Sequence, residues 1–147
     1  MTKRDTLVTP DHVLLGSQAK SKRALFTEMV SLLSSIDLDL ALEVITAREK
    51  LGSTGMGHGV AIPHGRLEGL QAPVVAVAIH EHGVDFDAID GELVRIVVML
   101  LVPNDNHQAH LSLLASIAKI LQQAHVRQAL LQAKTEEEVV TIFQDEL

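Results

Sequence analysis

Ten residues, Leu93 to Val102, constrain the fold more than any other stretch: Leu-Val-Arg-Ile-Val-Val-Met-Leu-Leu-Val. The run is rich in Val, Ile and Leu, and beyond Arg95 it shows no polar alternation. A strand with one face in water alternates, whereas a strand covered on both faces stays apolar throughout. Ten residues are too few to span a bilayer. The run therefore predicts a central strand with cover on both sides, and the flanking sequence supplies the cover.

Before it, Leu25, Met29, Leu32/Leu33 and Ile36 recur at helical spacing from Ser21 onward. A second helix is predicted from about Asp39 to Lys50, with Leu42 and Ile45 on one side and a stop at Gly52. After it, helices are predicted over about Asp105 to Gln122 and over Val126 to Ala133. A terminal helix opens at the capping box Thr135-Glu-Glu-Glu138. Between the two helical ends lie further strand signals: Val60–Ile62 closed by Pro63, Val74–Ile79 bounded by His82-Gly83, and Val84–Ile89. Asp90-Gly91 is a hairpin signal, and Pro103-Asn-Asp-Asn106 offers caps for the next helix. An α/β domain follows, with a mixed sheet flanked by helices on both faces, covering residues 1–147 as a single domain.

Composition narrows the function. Twelve basic against nineteen acidic residues give a formal charge of -7, the wrong sign for nucleic acid. Three Phe and no Tyr or Trp leave no base-stacking platform and few anchors for a tight interface, so any protein partner is expected to bind transiently. The absence of cysteine excludes disulfides, thiolate catalysis, zinc fingers and iron–sulfur clusters. The opening Met1 to Leu7 is too polar for a signal peptide, so a cytoplasmic protein without membrane insertion is expected.

The segment Gly52-Ser-Thr-Gly-Met-Gly-His-Gly59 has glycine at every second or third position and is expected to be irregular. Gly52 and Gly57 have P-loop spacing, but His58 and Gly59 stand where lysine and a hydroxyl belong. The dinucleotide fingerprint fails as well. What remains is a loop whose backbone can approach another surface or an anion closely.

Eight histidines are the other chemical feature. Any one of them is ordinarily a surface or core residue. His64 differs: it leaves a buried strand through Ile62-Pro63 and is followed by Gly65, so its ring can project from the sheet's rim towards the glycine loop. His110 shares a helical side with Leu114 and Ala118. It is either a hydrogen-bonded core histidine or a second imidazole meeting His64. Arg48, at the end of the second helix, is either a solvated cation favourable at a helix C-terminus or a ligand for anionic oxygens. Imidazole suits phosphoryl carriage, because near neutral pH an appreciable fraction is unprotonated and nucleophilic. Phosphoryl transfer asks little of a protein beyond alignment and stabilisation of oxygen charge. Histidine pairs at His107/His110 and His80/His82 could suggest a metal, but no carboxylate-bearing motif accompanies them. No metal and no cofactor are expected.

Five segments together resemble one family. Arg48-Glu-Lys-Leu-Gly-Ser-Thr-Gly55, Gly59-Val-Ala-Ile-Pro-His-Gly65, Phe86-Asp-Ala-Ile-Asp90, Leu100-Leu-Val-Pro103 and His110-Leu-x-x-Leu114 are similar to the IIA domains of the phosphoenolpyruvate-dependent phosphotransferase system. The resemblance is to the fructose–mannitol type, above all its nitrogen-regulatory branch, and runs from about Leu14 to near the end. It implies that His64 is the phosphoryl acceptor, through Nε2, and that Arg48 and His110 line the same pocket. The implied donor is a histidine-phosphorylated carrier of the HPr or NPr type, charged by enzyme I. The implied readout is docking to regulated targets, among them regulators of potassium transport or metabolism. A sugar-specific IIA that donates to a IIB domain is the alternative. At His58 the family commonly has Asn; a histidine six residues before His64 could sit near the pocket, and no catalytic part is assigned to it.

Overall fold

A computed structural model describes residues 7–34, 36–105 and 107–146. The polar opening from Met1 to Thr6, and Asn106 of the expected helix cap, lie outside the described residues. A 3-10 turn at Pro10–His12 leads into β1 (Val13–Ser17), followed by α1 (Lys22–Val30) and α2 (Leu38–Leu51). Three short strands come next: β2 (Gly55–Gly57), β3 (Val60–Ala61) and β4 (His64–Arg66). Two long strands, β5 (Val74–Val84) and β6 (Val94–Val102), precede α3 (His107–Leu121), α4 (Ala124–Gln132) and α5 (Glu136–Glu146).

The apolar run is the central strand, as expected. β6 pairs antiparallel with β5 on one side and parallel with β3 and β4, end to end, on the other. β1 lies parallel beside β5, and β2 lies antiparallel beside β3, giving the order β1-β5-β6-β3-β2. Successive strand residues point to opposite faces, and the two faces carry separate cores. Val75, Val77, Val98 and Leu100 pack under Ile117, Leu121, Leu130 and Phe143 of α3 to α5. Ala76, Ala78, Val97 and Met99 pack under Leu25, Phe26, Met29 and Ile45 of α1 and α2. The result is a helix–sheet–helix sandwich.

The helix starts follow their side chains. Ser21 Oγ accepts from Ala24 N at 3.0 Å and opens α1. Asp37 Oδ1 accepts from Leu40 N at 3.1 Å and opens α2. Thr135 Oγ1 accepts from Glu138 N at 3.2 Å, while Glu138 reaches back to Lys134 N at 3.0 Å. The capping box thus closes one residue further out than the usual pairing.

Two expectations are corrected. The glycine segment is not wholly irregular, because Gly55 to Gly57 form the edge strand β2. Gly55 permits this: a Cβ there would lie 2.8 Å from the Ala88 Cβ. Nor do Val84 to Ile89 make a separate strand, since β5 runs on to Val84 and a loop follows. Phe86 anchors that loop, its ring edge-on to Phe26 at 5.8 Å. Its carbonyl accepts from Lys22 Nζ at 3.2 Å and from Ser53 Oγ, so it is lost to any ladder.

Candidate functional site

Where β2 ends, the sheet has a free edge: among the described residues β4 pairs with β6 and with no other strand. Ile62 N donates to Thr54 O at 3.1 Å, the last link between the glycine segment and this edge. Pro63 follows, with no N–H to leave unpaired at a sheet edge. Its carbonyl accepts from Leu100 N at 2.9 Å and carries the β6 ladder onward into β4. His64 is therefore the first residue of an edge strand, placed by backbone pairing with Leu100.

The ring of His64 turns back on its own chain, and Nδ1 lies 2.8 Å from Ile62 O. A carbonyl can only accept, so Nδ1 carries the hydrogen and Nε2 holds the free lone pair. Burial pushes the His64 pKa below the ordinary imidazole value, the first of several causes. The Ile62 hydrogen bond works the other way, the Arg48 guanidinium lowers it further, and the Glu49 carboxylate raises it. The neutral, nucleophilic form is thereby favoured near pH 7.

His64 shares a hollow of about 240 Å³ with Arg48, the segment from Ser53 to Met56, and Leu114 and Ala118 of α3. The His110 ring meets His64 edge-on, with centroids 5.7 Å apart and planes at 70°. Its Nε2 is buried without a hydrogen-bond partner among the described residues. Burial, first, and then the charges of His64, Arg66 and His107 hold its pKa below the ordinary value. A larger recess of about 440 Å³, between Pro73, Pro103 and α3, shares only His110 with this cluster. It presents no other histidine and no arginine, whereas the smaller hollow holds both His64 and Arg48. Arg48 donates through Nη1 to Gly52 O at 2.9 Å, which ties the guanidinium to the start of the glycine segment.

The three residues singled out in the sequence are thus neighbours. His58 is not among them. It occupies the β2–β3 turn with φ 58°, its N–H donating to Asp90 Oδ2 at 3.0 Å, and it borders a different recess with Arg95 and Arg127. This is a left-handed turn position, a backbone that Asn would tolerate as well. His80 is equally remote from metal chemistry. Its Nε2 donates to Ala19 O at 2.7 Å, and its Nδ1 accepts from His82 N at 3.1 Å and Gly83 N at 2.8 Å.

Glu49 is the supporting residue that spacing did not single out. It lies 3.0 Å from Lys22 Nζ and accepts from Thr54 N and Thr54 Oγ1. The carboxylate thus joins α1, the end of α2 and the glycine segment. A signal for it exists: Ala41, Ile45 and Glu49 recur every four residues on the buried side of α2, so a charge stands in an apolar stripe.

Known proteins match the chain along nearly its whole length. The chain is 40% identical over 149 residues to a nitrogen regulatory protein of Pseudomonas aeruginosa, covering 99% of this chain and 97% of that one. It is 30% identical over 141 residues to the fructose-specific EIIABC component of Bacillus subtilis, covering 93% of this chain but 22% of that longer protein. In three dimensions it superposes on the crystal structure of nitrogen regulatory protein IIA-Ntr from Neisseria meningitidis with a TM-score of 0.90. That pair is 38% identical, with 95% and 97% of the two chains covered. The family model of the phosphoenolpyruvate-dependent sugar phosphotransferase system, EIIA 2, matches residues 6–146. The family model over residues 6–146 and a relative 40% identical along nearly the whole of both chains place this chain in the EIIA 2 family of that phosphotransferase system.

Proposed function

We propose that the chain is a phosphoryl carrier with a regulatory output, in which His64 Nε2 accepts a phosphoryl group from a phosphohistidine carrier of the HPr or NPr type. The observation that carries this reading is the 2.8 Å contact from His64 Nδ1 to Ile62 O, which leaves Nε2 as the nucleophile. In the transfer, the Nε2 lone pair attacks phosphorus in line with the donor's P–N bond. The new N–P bond forms as the old one breaks, and the donor imidazole recovers its lone pair. Nδ1 keeps its hydrogen, and Ile62 O stabilises the positive charge that develops on the ring. Arg48 and His110 stand ready for the equatorial oxygens. Because donor and acceptor are both imidazoles, the group moves with little change in free energy and can move on again.

Phosphorylation adds about -1.5 to -2 charges at one patch, enough to abolish some protein contacts and create others. The 40% identity to a nitrogen regulatory protein supports control of target proteins as the output. The 30% identity to a fructose-specific component supports a second reading, donation to a IIB domain for sugar uptake. We read residues 1–147 as one domain acting in the cytoplasm. No described helix is long and apolar enough to cross a membrane.

The test is incubation with phosphoenolpyruvate, enzyme I and an HPr-type carrier, followed by intact-mass analysis. One acid-labile phosphoryl group is expected, absent from His64→Ala and formed slowly in Arg48→Gln and His110→Ala. Labelling that survives His64→Ala overturns the site. Rapid discharge onto a IIB domain selects the sugar-uptake reading.

A further inference from the structure

Arg66 stands out once the register of β4 is followed. His64 lies opposite Leu100 and Arg66 opposite Val102, and both partners belong to the core on the side of α3 to α5. Gly65, between them, faces the other way, towards Val44 of α2. His64 and Arg66 therefore project from the same face of one edge strand, about 6.7 Å apart along it. That is the face on which His110 sits, and the Arg66 charge is felt there, among the causes that depress the His110 pKa.

Among the described residues no arginine makes an ion pair, so what sets Arg66 apart is its place beside the histidine pair. Arg66 is exposed, and it makes no ion pair and no hydrogen bond among the described residues. Arg48 differs, with one guanidinium nitrogen already committed to Gly52 O. Among the described residues, then, Arg48 is anchored to the backbone and Arg66, beside the histidine pair, is not.

We propose that Arg66 is a second phosphoryl-binding residue: once a phosphoryl group sits on His64 Nε2, the Arg66 guanidinium pairs with its non-bridging oxygens. The assignment rests on the carrier reading above. The flexible stem lets the planar fork swing along the strand from His110 towards Nε2, and two parallel N–H donors match two phosphoryl oxygens. Arg48 shapes the hollow from the α2 side, while Arg66 closes on the charge from the β4 side after it arrives. No proton moves in this step, and no bond beyond the N–P bond of the transfer is made or broken. The phosphorylated and free forms then differ in the position of an arginine as well as in charge, which gives a docking partner two features to distinguish.

The experiment phosphorylates the parent, Arg66→Gln and Arg66→Lys with phosphoenolpyruvate, enzyme I and an HPr-type carrier, then titrates the phosphohistidine signal by phosphorus NMR. A cation paired to the group favours its dianion. Ionisation in Arg66→Gln is therefore expected about 0.5–1 pH unit higher than in the parent, with Arg66→Lys in between. The transfer rate at saturating carrier is expected to fall about tenfold in Arg66→Gln. A surface packing role would leave the titration unmoved. A phosphohistidine signal whose ionisation is the same in parent and Arg66→Gln overturns this assignment and spares the carrier reading. Absence of any such signal in the parent overturns both.

Discussion

Replacing Glu49 by glutamine puts an amide among donors that all require an acceptor. In the parent, one oxygen accepts from Lys22 Nζ at 3.0 Å, and both oxygens take bonds from Thr54. The Glu49 side chain is 5% exposed and that of Lys22 24%, so the ammonium keeps some water but the carboxylate has almost none. Glutamine retains one acceptor oxygen and turns its NH₂ towards donor groups. Each charge-assisted bond that becomes neutral or is lost costs about 1 kcal/mol. With Lys22 left partly solvated, the total stays below the 3–5 kcal/mol of a fully buried broken pair. A loss of about 2–3 kcal/mol follows, or about 5–10 °C in Tm for a chain of this length. The assay is urea unfolding of Glu49→Gln, Lys22→Met and the double variant. A coupling of at least about 1 kcal/mol between the two sites is expected. Effects that add within about 0.5 kcal/mol would refute the reasoning, because independent sites add. Since Thr54 is held only at one end, His64 phosphorylation should also slow more in Glu49→Gln than in Lys22→Met.

Three further outcomes are expected. Gly65→Ala places a Cβ 2.5 Å from Val44 Cγ1, a stiff β-branched neighbour, and should cost about 1–3 kcal/mol by urea unfolding; an unchanged midpoint contradicts the close packing of β4 on α2. His58→Asn relieves a left-handed residue with φ 58° and should stabilise the fold by about 0.5–1 kcal/mol while leaving the rate of His64 phosphorylation unchanged. Burial first, then cationic neighbours, depress the folded pKa values of both His64 and His110, so the unfolded chain takes up protons first as pH falls. The stability they contribute is complete above about pH 6.5 and is lost as pH drops through the folded values. Unfolding free energies at pH 7.5 and 5.5 should therefore differ more in the parent than in the His64→Gln/His110→Gln variant, and equal losses count against those shifts.

The sequence made the centre of the fold legible and blurred its edges, for physical reasons. β6 is covered on both faces and so is apolar apart from Arg95, and helix periodicity marked α1 to α3, because one-sided burial imposes a repeat, while a capping box marked α5. β2 and β4 have three residues each, too few for a period of two to declare itself. β5 continues past Ile79 because the His80 ring accepts the N–H groups of His82 and Gly83 where the register slips. No pattern of residue types announces that exchange. Val84 and Phe86 alternate as strand residues do, yet Lys22 and Ser53 capture the Phe86 carbonyl from distant positions. At the site, the Ile62-Pro63-His64-Gly65 segment was readable because proline and glycine act locally. Glu49 and the proposed phosphoryl contact Arg66 depend on which face of α2 and β4 meets the glycine segment and α3, and that emerges only with the layers assembled.

The most direct test is long-range proton–nitrogen NMR of His64 in the free and phosphorylated protein. In the free protein Nδ1 is expected to carry the hydrogen and Nε2 the lone pair, and after phosphorylation only Nε2 should couple to phosphorus. A phosphoryl group on Nδ1, or on His110, contradicts the arrangement in which the Ile62 carbonyl chooses the nucleophile.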